Sequence, residues 1–150
     1  MGIPFTSKKV GELLKEGNLR TPSYQRPYKW NRTHIRNLFY DLRDAMGKKE
    51  YQIGSVILHE ILHEKEKYLD IVDGQQRLIS ISLFLHLLDD LENYKGANQL
   101  LSAEFGELSC YHASENYNEW ENLTQLVGEN QAKDICNFLL ENCSVSVITM

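Results

Sequence analysis

The sequence predicts an α+β fold, and two observations carry that reading. Apolar residues recur at helical spacing in two stretches, 31–46 and 132–140. The segments 51–59 and 67–72 are instead rich in β-branched residues and joined by a polar connection, as in a hairpin. The composition is that of an ordinary folded domain, with 150 residues, 42% hydrophobic, 25% charged and three prolines. A chain of this length buries roughly 70% of the surface its unfolded form exposes, so it needs no disulfide or metal staple.

Val10, Leu13 and Leu14 are helically spaced behind Ser7, which predicts a helix from about residue 7 to 16, ended by Gly17-Asn18. Residues 20–30 hold Pro22 and Pro27 and cannot form a regular helix. Asn31 then caps a helix whose stripe is Ile35, Leu38, Phe39, Leu42 and Met46, closed by Gly47. The two strands follow, and Asp73-Gly74 breaks the second. The run from Gln75 to about Asn93 alternates locally at Ile79–Leu83, but its unbroken length favours a buried helix. The remainder is helical by pattern, with Ala132, Ile135, Cys136, Leu139 and Leu140 on one stripe. Ser144 to Thr149 reads as a strand at the end of the chain, which suggests a piece of a longer protein. The organisation expected is a core over 1–90 and a helical extension over 91–150 ending in that strand.

Charge is segregated. Residues 1–49 carry 11 Lys and Arg against 4 Asp and Glu, a balance of +7; residues 50–150 carry 5 against 17, a balance of −12. The first third could face an anion, or its basic helices could pack against acidic ones of the same domain. The longest apolar run, Leu83–Leu88, is far too short to cross a bilayer, and the N-terminus lacks signal-peptide features. Cys110, Cys136 and Cys143 form no CxxC pair and no even set, so a reduced, cytoplasmic setting is expected, with no membrane partner.

His59-Glu60-Ile61-Leu62-His63 matches HExxH, but that zinc chemistry needs both histidines on one helix face. Here the match straddles a strand end and a charged turn, and Glu66 and Leu69 stand where the extended pattern needs Gly and His. These are read as surface histidines of a hairpin.

Val72-Asp73-Gly74-Gln75-Gln76-Arg77-Leu78 is the informative segment. A strand ends at Asp73, Gly74 makes the turn and a helix opens at Gln75, so backbone N–H groups and the positive end of the helix dipole face outward together. Gly74 removes a side chain that would hold a phosphate off, and Arg77 in the first turn can fork two phosphate oxygens. Asp73 could hold a divalent cation or orient a water, and Gln75 and Gln76 add neutral donors and acceptors. The alternative is structural: Asp73 caps the helix and Arg77 pairs with a local acid. A second cluster, Tyr24-Gln25-Arg26-Pro27-Tyr28-Lys29-Trp30, interleaves three aromatics with cations. It suits stacking on a base and pairing with phosphate, or pins the segment to the core through Tyr28 and Trp30.

Together, Pro22–Trp30 and Val72–Leu78, separated by a helix and two strands, resemble the N-terminal domain family of the GmrSD-type, modification-dependent (type IV) restriction endonucleases, with its DGQQR motif. The resemblance covers residues 3 to about 90. It implies a ParB/sulfiredoxin-like core, a small mixed sheet with flanking helices. It also implies binding and hydrolysis of a nucleoside triphosphate with Mg2+, of unspecified base, that regulates DNA cleavage in phage defence. Carried over, Asp73, Gln76 and Arg77 would be catalytic, with Asp73 at the metal. Gly74 and Gln75 would bind nucleotide, with Tyr24, Gln25 and Arg26 opposite. Gln76 stands where sulfiredoxins place their cysteine, which excludes that chemistry, and Ile79 replaces a more usual threonine. Family members often continue into an HNH-type nuclease domain, which this sequence does not contain, so DNA would be met through the full-length protein.

Three rivals remain on the sequence. One is a DNA-binding module without hydrolysis, tracking phosphates with its basic first third. Another makes the domain itself the nuclease, although paired carboxylates or HNH histidines are missing. The last is a structural piece that forms homo-oligomers through the terminal strand.

Overall fold

The computed structural model describes residues 5–22, 27–107 and 111–150. Among them the chain forms an α+β fold, a small mixed sheet with helices packed around it. The strands are β1 (Thr6–Lys9), β2 (Leu19–Arg20), β3 (Tyr51–His63), β4 (Glu66–Asp73) and β5 (Cys143–Thr149), in the order β1-β5-β3-β4-β2. β1 and β5 are antiparallel, β5 and β3 parallel, β3 and β4 antiparallel, and β4 and β2 parallel. The helices are α1 (Val10–Leu14), α2 (Arg32–Ala45), α3 (Gln75–Leu87), α4 (Lys95–Phe105), α5 (Glu115–Val127) and α6 (Glu129–Asn142).

The helix expected over 7–16 is half strand. Ser7 pairs with Ser146 in the ladder and caps nothing; α1 starts at Val10 behind an extended Lys9. The reason is tertiary: β5, more than 130 residues away, supplies hydrogen-bond partners that local periodicity cannot reveal. α2 follows expectation. The Asn31 side chain accepts from Thr33 N and His34 N, and Ile35, Leu38, Phe39 and Leu42 are buried. Met46 falls outside the helix and is exposed.

The hairpin is longer than its β-branched stretches. β3 and β4 pair as far as His63 and Glu66, and Glu64 and Lys65, both at positive φ (50° and 72°), form the two-residue turn. The HExxH residues therefore lie on a strand, where positions 59 and 63 are separated by roughly 13 Å of extended chain, not by one helical turn.

α3 is buried continuously from Leu78 to Leu85, which explains why its sequence lacks a stripe. Ser80 and Ser82, both wholly buried on it, donate back to the carbonyls of Gln76 (2.8 Å) and Leu78 (2.7 Å). β5 takes both neighbours, β1 and β3, from the first 63 residues. One hydrophobic core runs from Val10 to Val147, so the expected boundary near residue 90 coincides with no break in it. No helix among the described residues is long and apolar enough to cross a membrane.

Candidate functional site

The strand–turn–helix expected at Asp73–Gln75 forms. Asp73 is the last residue of β4, Gly74 precedes α3 at φ 101°, and no side chain caps the helix, so Asp73 does not act as its cap. Gly74 is required twice over. Its φ disfavours any side chain, and a Cβ there would lie 2.9 Å from the Ser55 carbonyl oxygen and 3.1 Å from Val56 Cγ2. Its lack of a side chain thus serves close packing on β3.

Beside this turn opens a cavity of about 560 Å3, whose wall includes Lys29, Trp30, His34, Asp73, Gln75 and Gln76. That size suits a nucleotide-sized ligand. Asp73 and Lys29 are exposed on the wall and Gln75 is buried in it. Trp30 and His34 stack, with ring centroids 5.1 Å apart and planes 17° apart.

Arg77 lies in the first turn of α3 and is half-buried, its guanidinium 5.8 Å from the Trp30 ring centroid. It is set against Gly54 of β3, adjoining the cavity and not part of its wall. Gly54 has φ 137° and falls where the β3–β5 register breaks between Gln52 and Ser55. Among the described residues no carboxylate pairs with Arg77. Burial pulls its pKa down, partly offset by Tyr51. A guanidinium partly withdrawn from water without an anion carries a cost that an arriving anion would relieve.

Gln76, expected at the reacting phosphate, commits its amide elsewhere. Its Oε1 accepts from the backbone N–H of Lys29 (2.7 Å) and of Trp30 (3.2 Å), and its Nε2 donates to the Pro27 carbonyl (3.1 Å). One side chain thereby fixes the irregular segment that forms the cavity wall. The same segment is held from α5, a region in which sequence reasoning found no functional residue. Asn116, buried, donates to Tyr28 Oη (2.8 Å) and to the Trp30 carbonyl (2.7 Å). Tyr28 Oη also meets Ser80 Oγ at 2.5 Å, and burial raises its pKa. The Trp120 indole donates to the Ser80 carbonyl (2.8 Å) and stacks on Phe84 at 4.2 Å. Tyr28 and Trp30 therefore do pin the segment to the core. The signal in the sequence was a polar Asn at a core-facing position of a helix.

Tyr24, Gln25 and Arg26 lie outside the described residues. Much of the remaining basic first third is matched by later acids: Lys9 with Glu50 (3.7 Å), Arg20 with Asp70 (2.7 Å), Arg32 with Glu115 (2.8 Å) and Arg36 with Glu119 (3.2 Å). Part of the charge asymmetry is internal pairing.

Among the described residues no three His, Cys, Asp or Glu side chains converge as a metal site. Asp73 is the carboxylate on the cavity wall. One carboxylate suits Mg2+ only when a ligand's phosphates complete its shell, which is how Mg2+ is commonly held at nucleotide sites.

The family model for the GmrSD restriction endonuclease, N-terminal domain, matches residues 10–148. No curated protein matches the chain.

Proposed function

Because this chain belongs to the GmrSD restriction endonuclease N-terminal domain family, we propose that it is the nucleoside-triphosphate-binding and hydrolysing domain through which such a restriction protein is regulated. The observation that carries this reading is Arg77, a half-buried cation in the first turn of α3 with no carboxylate partner among the described residues. Backbone N–H groups of the helix start and the guanidinium together favour a polyphosphate beside Gly74 and Gln75. Arg77 would turn from its place beside Trp30 to meet a phosphate, and among the described residues no carboxylate holds it back.

In this reading Lys29, which lines the same cavity, supplies a second cation for the anion, and Gln76 is a positioning residue that keeps Lys29 and Trp30 in place. Asp73 would hold Mg2+ or orient the attacking water; when bound, the ion would supply charge neutralisation. Arg77 stabilises charge that develops on the transferred phosphoryl group. Tyr24, Gln25 and Arg26 contribute to binding the nucleotide, within a ParB/sulfiredoxin-like core. DNA is engaged by the longer protein.

The test is a titration of the four nucleoside triphosphates, with and without Mg2+, into wild type and Arg77→Ala, following binding and phosphate release. Saturable binding that Arg77→Ala weakens about tenfold or more supports the reading, since hydrogen bonds to charged groups are worth about 1.5–3 kcal/mol. Absence of triphosphate binding by wild type, with salt-sensitive DNA binding intact, overturns it in favour of a DNA-binding module.

A further inference from the structure

We propose that His34 is a ligand-contacting residue of this cavity, whose Nε2–H donates to the phosphate tail of the bound triphosphate. The inference rests on the reading above and adds a residue of α2 that belongs to neither sequence cluster.

The tautomer follows from the helix cap. His34 Nδ1 accepts the backbone N–H of Asn31 at 3.1 Å, while Asn31 Oδ1 accepts from Thr33 N (3.0 Å) and His34 N (3.3 Å). This is a reciprocal capping box with histidine in the place usually held by Glu or Gln. A ring nitrogen that accepts a hydrogen bond carries no proton, so the neutral imidazole keeps its proton on Nε2. Nε2–H is then the ring's one remaining polar group, and His34 lines the cavity.

Position reinforces this. His34 lies in the first turn of a 14-residue helix with no acidic residue in that turn, so the donor sits at the positive end of the dipole. Lys29 lies on the same wall, and the stack on Trp30 fixes the ring plane. A neutral donor with its orientation locked by both the cap and the stack loses little freedom on binding an anion.

Two substitutions separate contact from capping. His34→Gln keeps an acceptor for the Asn31 N–H and an amide donor. His34→Glu keeps the acceptor but puts negative charge where the donor stood; a carboxylate is favoured in this turn, so the helix is retained. The full chain is titrated with Mg2+ nucleoside triphosphate and with inorganic tripolyphosphate, and melting temperatures are recorded. Both variants are expected to melt within about 2 °C of wild type. His34→Gln should bind both ligands within about threefold of wild type, and His34→Glu should lose about tenfold or more for both. Unchanged binding by His34→Glu overturns the proposal. So does a loss confined to the nucleotide, which would put the ring at the base. Wild type binding neither ligand overturns the underlying reading together with the inference.

Discussion

Gly54 and Arg77 share one space: a Cβ built on Gly54 would overlap Nη1 of Arg77 and lie 3.3 Å from its Cζ. The glycine is set at the register break of β3, at φ 137°, and the guanidinium packs over it. Gly54→Ala should destabilise the protein by about 2 kcal/mol, mainly through the unfavourable φ, with a smaller part from displacing the flexible end of Arg77. In an Arg77→Ala background the cost should shrink by at least about 0.5 kcal/mol, because the overlap is gone and only the backbone strain remains. Urea melts of the four proteins in the cycle measure this. Additive costs would mean the two residues are independent.

The wall of the cavity hangs from Gln76 and Asn116. Replacing Asn116 by Ala leaves the Trp30 carbonyl and Tyr28 hydroxyl short of a donor and should cost about 1–3 kcal/mol. Trp120 is wholly buried while Trp30 is half-buried, so fluorescence quenching by acrylamide reads Trp30 selectively. Quenching should rise in Asn116→Ala and in Gln76→Ala. An unchanged quenching curve would show that the segment holds itself.

Parts of this site were legible in the sequence, and others were not. The Asn31 cap, the Asp73-Gly74 break and the start of α3 at Gln75 were, because caps and turns are decided by neighbouring residues. The partner of Gln76 was not, since its three bonds go to residues 46 to 49 positions away. Nor was β1, which looks helical until β5 is laid beside it. The segmental charge was read correctly as a count, but ion pairs such as Arg32–Glu115 and Arg36–Glu119 depend on how α2 meets α5.

Burial pushes the thiols of Cys136 and Cys143 up to about 12 each. Both should resist iodoacetamide at pH 8 in the folded protein and react once it is unfolded in urea, as peptide mass mapping would show. Folding keeps them protonated, so their contribution to stability is complete below the ordinary thiol range and is lost as pH climbs towards 12. Rapid labelling under native conditions would contradict the packing of α6 for Cys136 and of β5 for Cys143.

His86 and His112 meet through their Nε2 atoms at 3.0 Å. Burial lowers the His86 pKa, the neighbouring His112 lowers it further, and Asp89 opposes both. With its folded pKa below the unfolded value, His86 lends stability that is present above about pH 6.5 and is lost as pH falls through the folded value. Urea melts between pH 5 and pH 8 should show wild type losing stability on the acid side. His86→Gln should flatten that loss. Equal acid slopes in the two proteins would show that the pair does not couple to folding.

The placement of β5 between β1 and β3 has a bearing on biosynthesis. While the chain is being made, the hairpin of β3 and β4 and the helix after it can form early. β1 must then wait, unpaired, until residues 143–149 emerge from the ribosome to fill the gap. Until then the nascent chain exposes sticky strand edges, and closure of the sheet waits for β5.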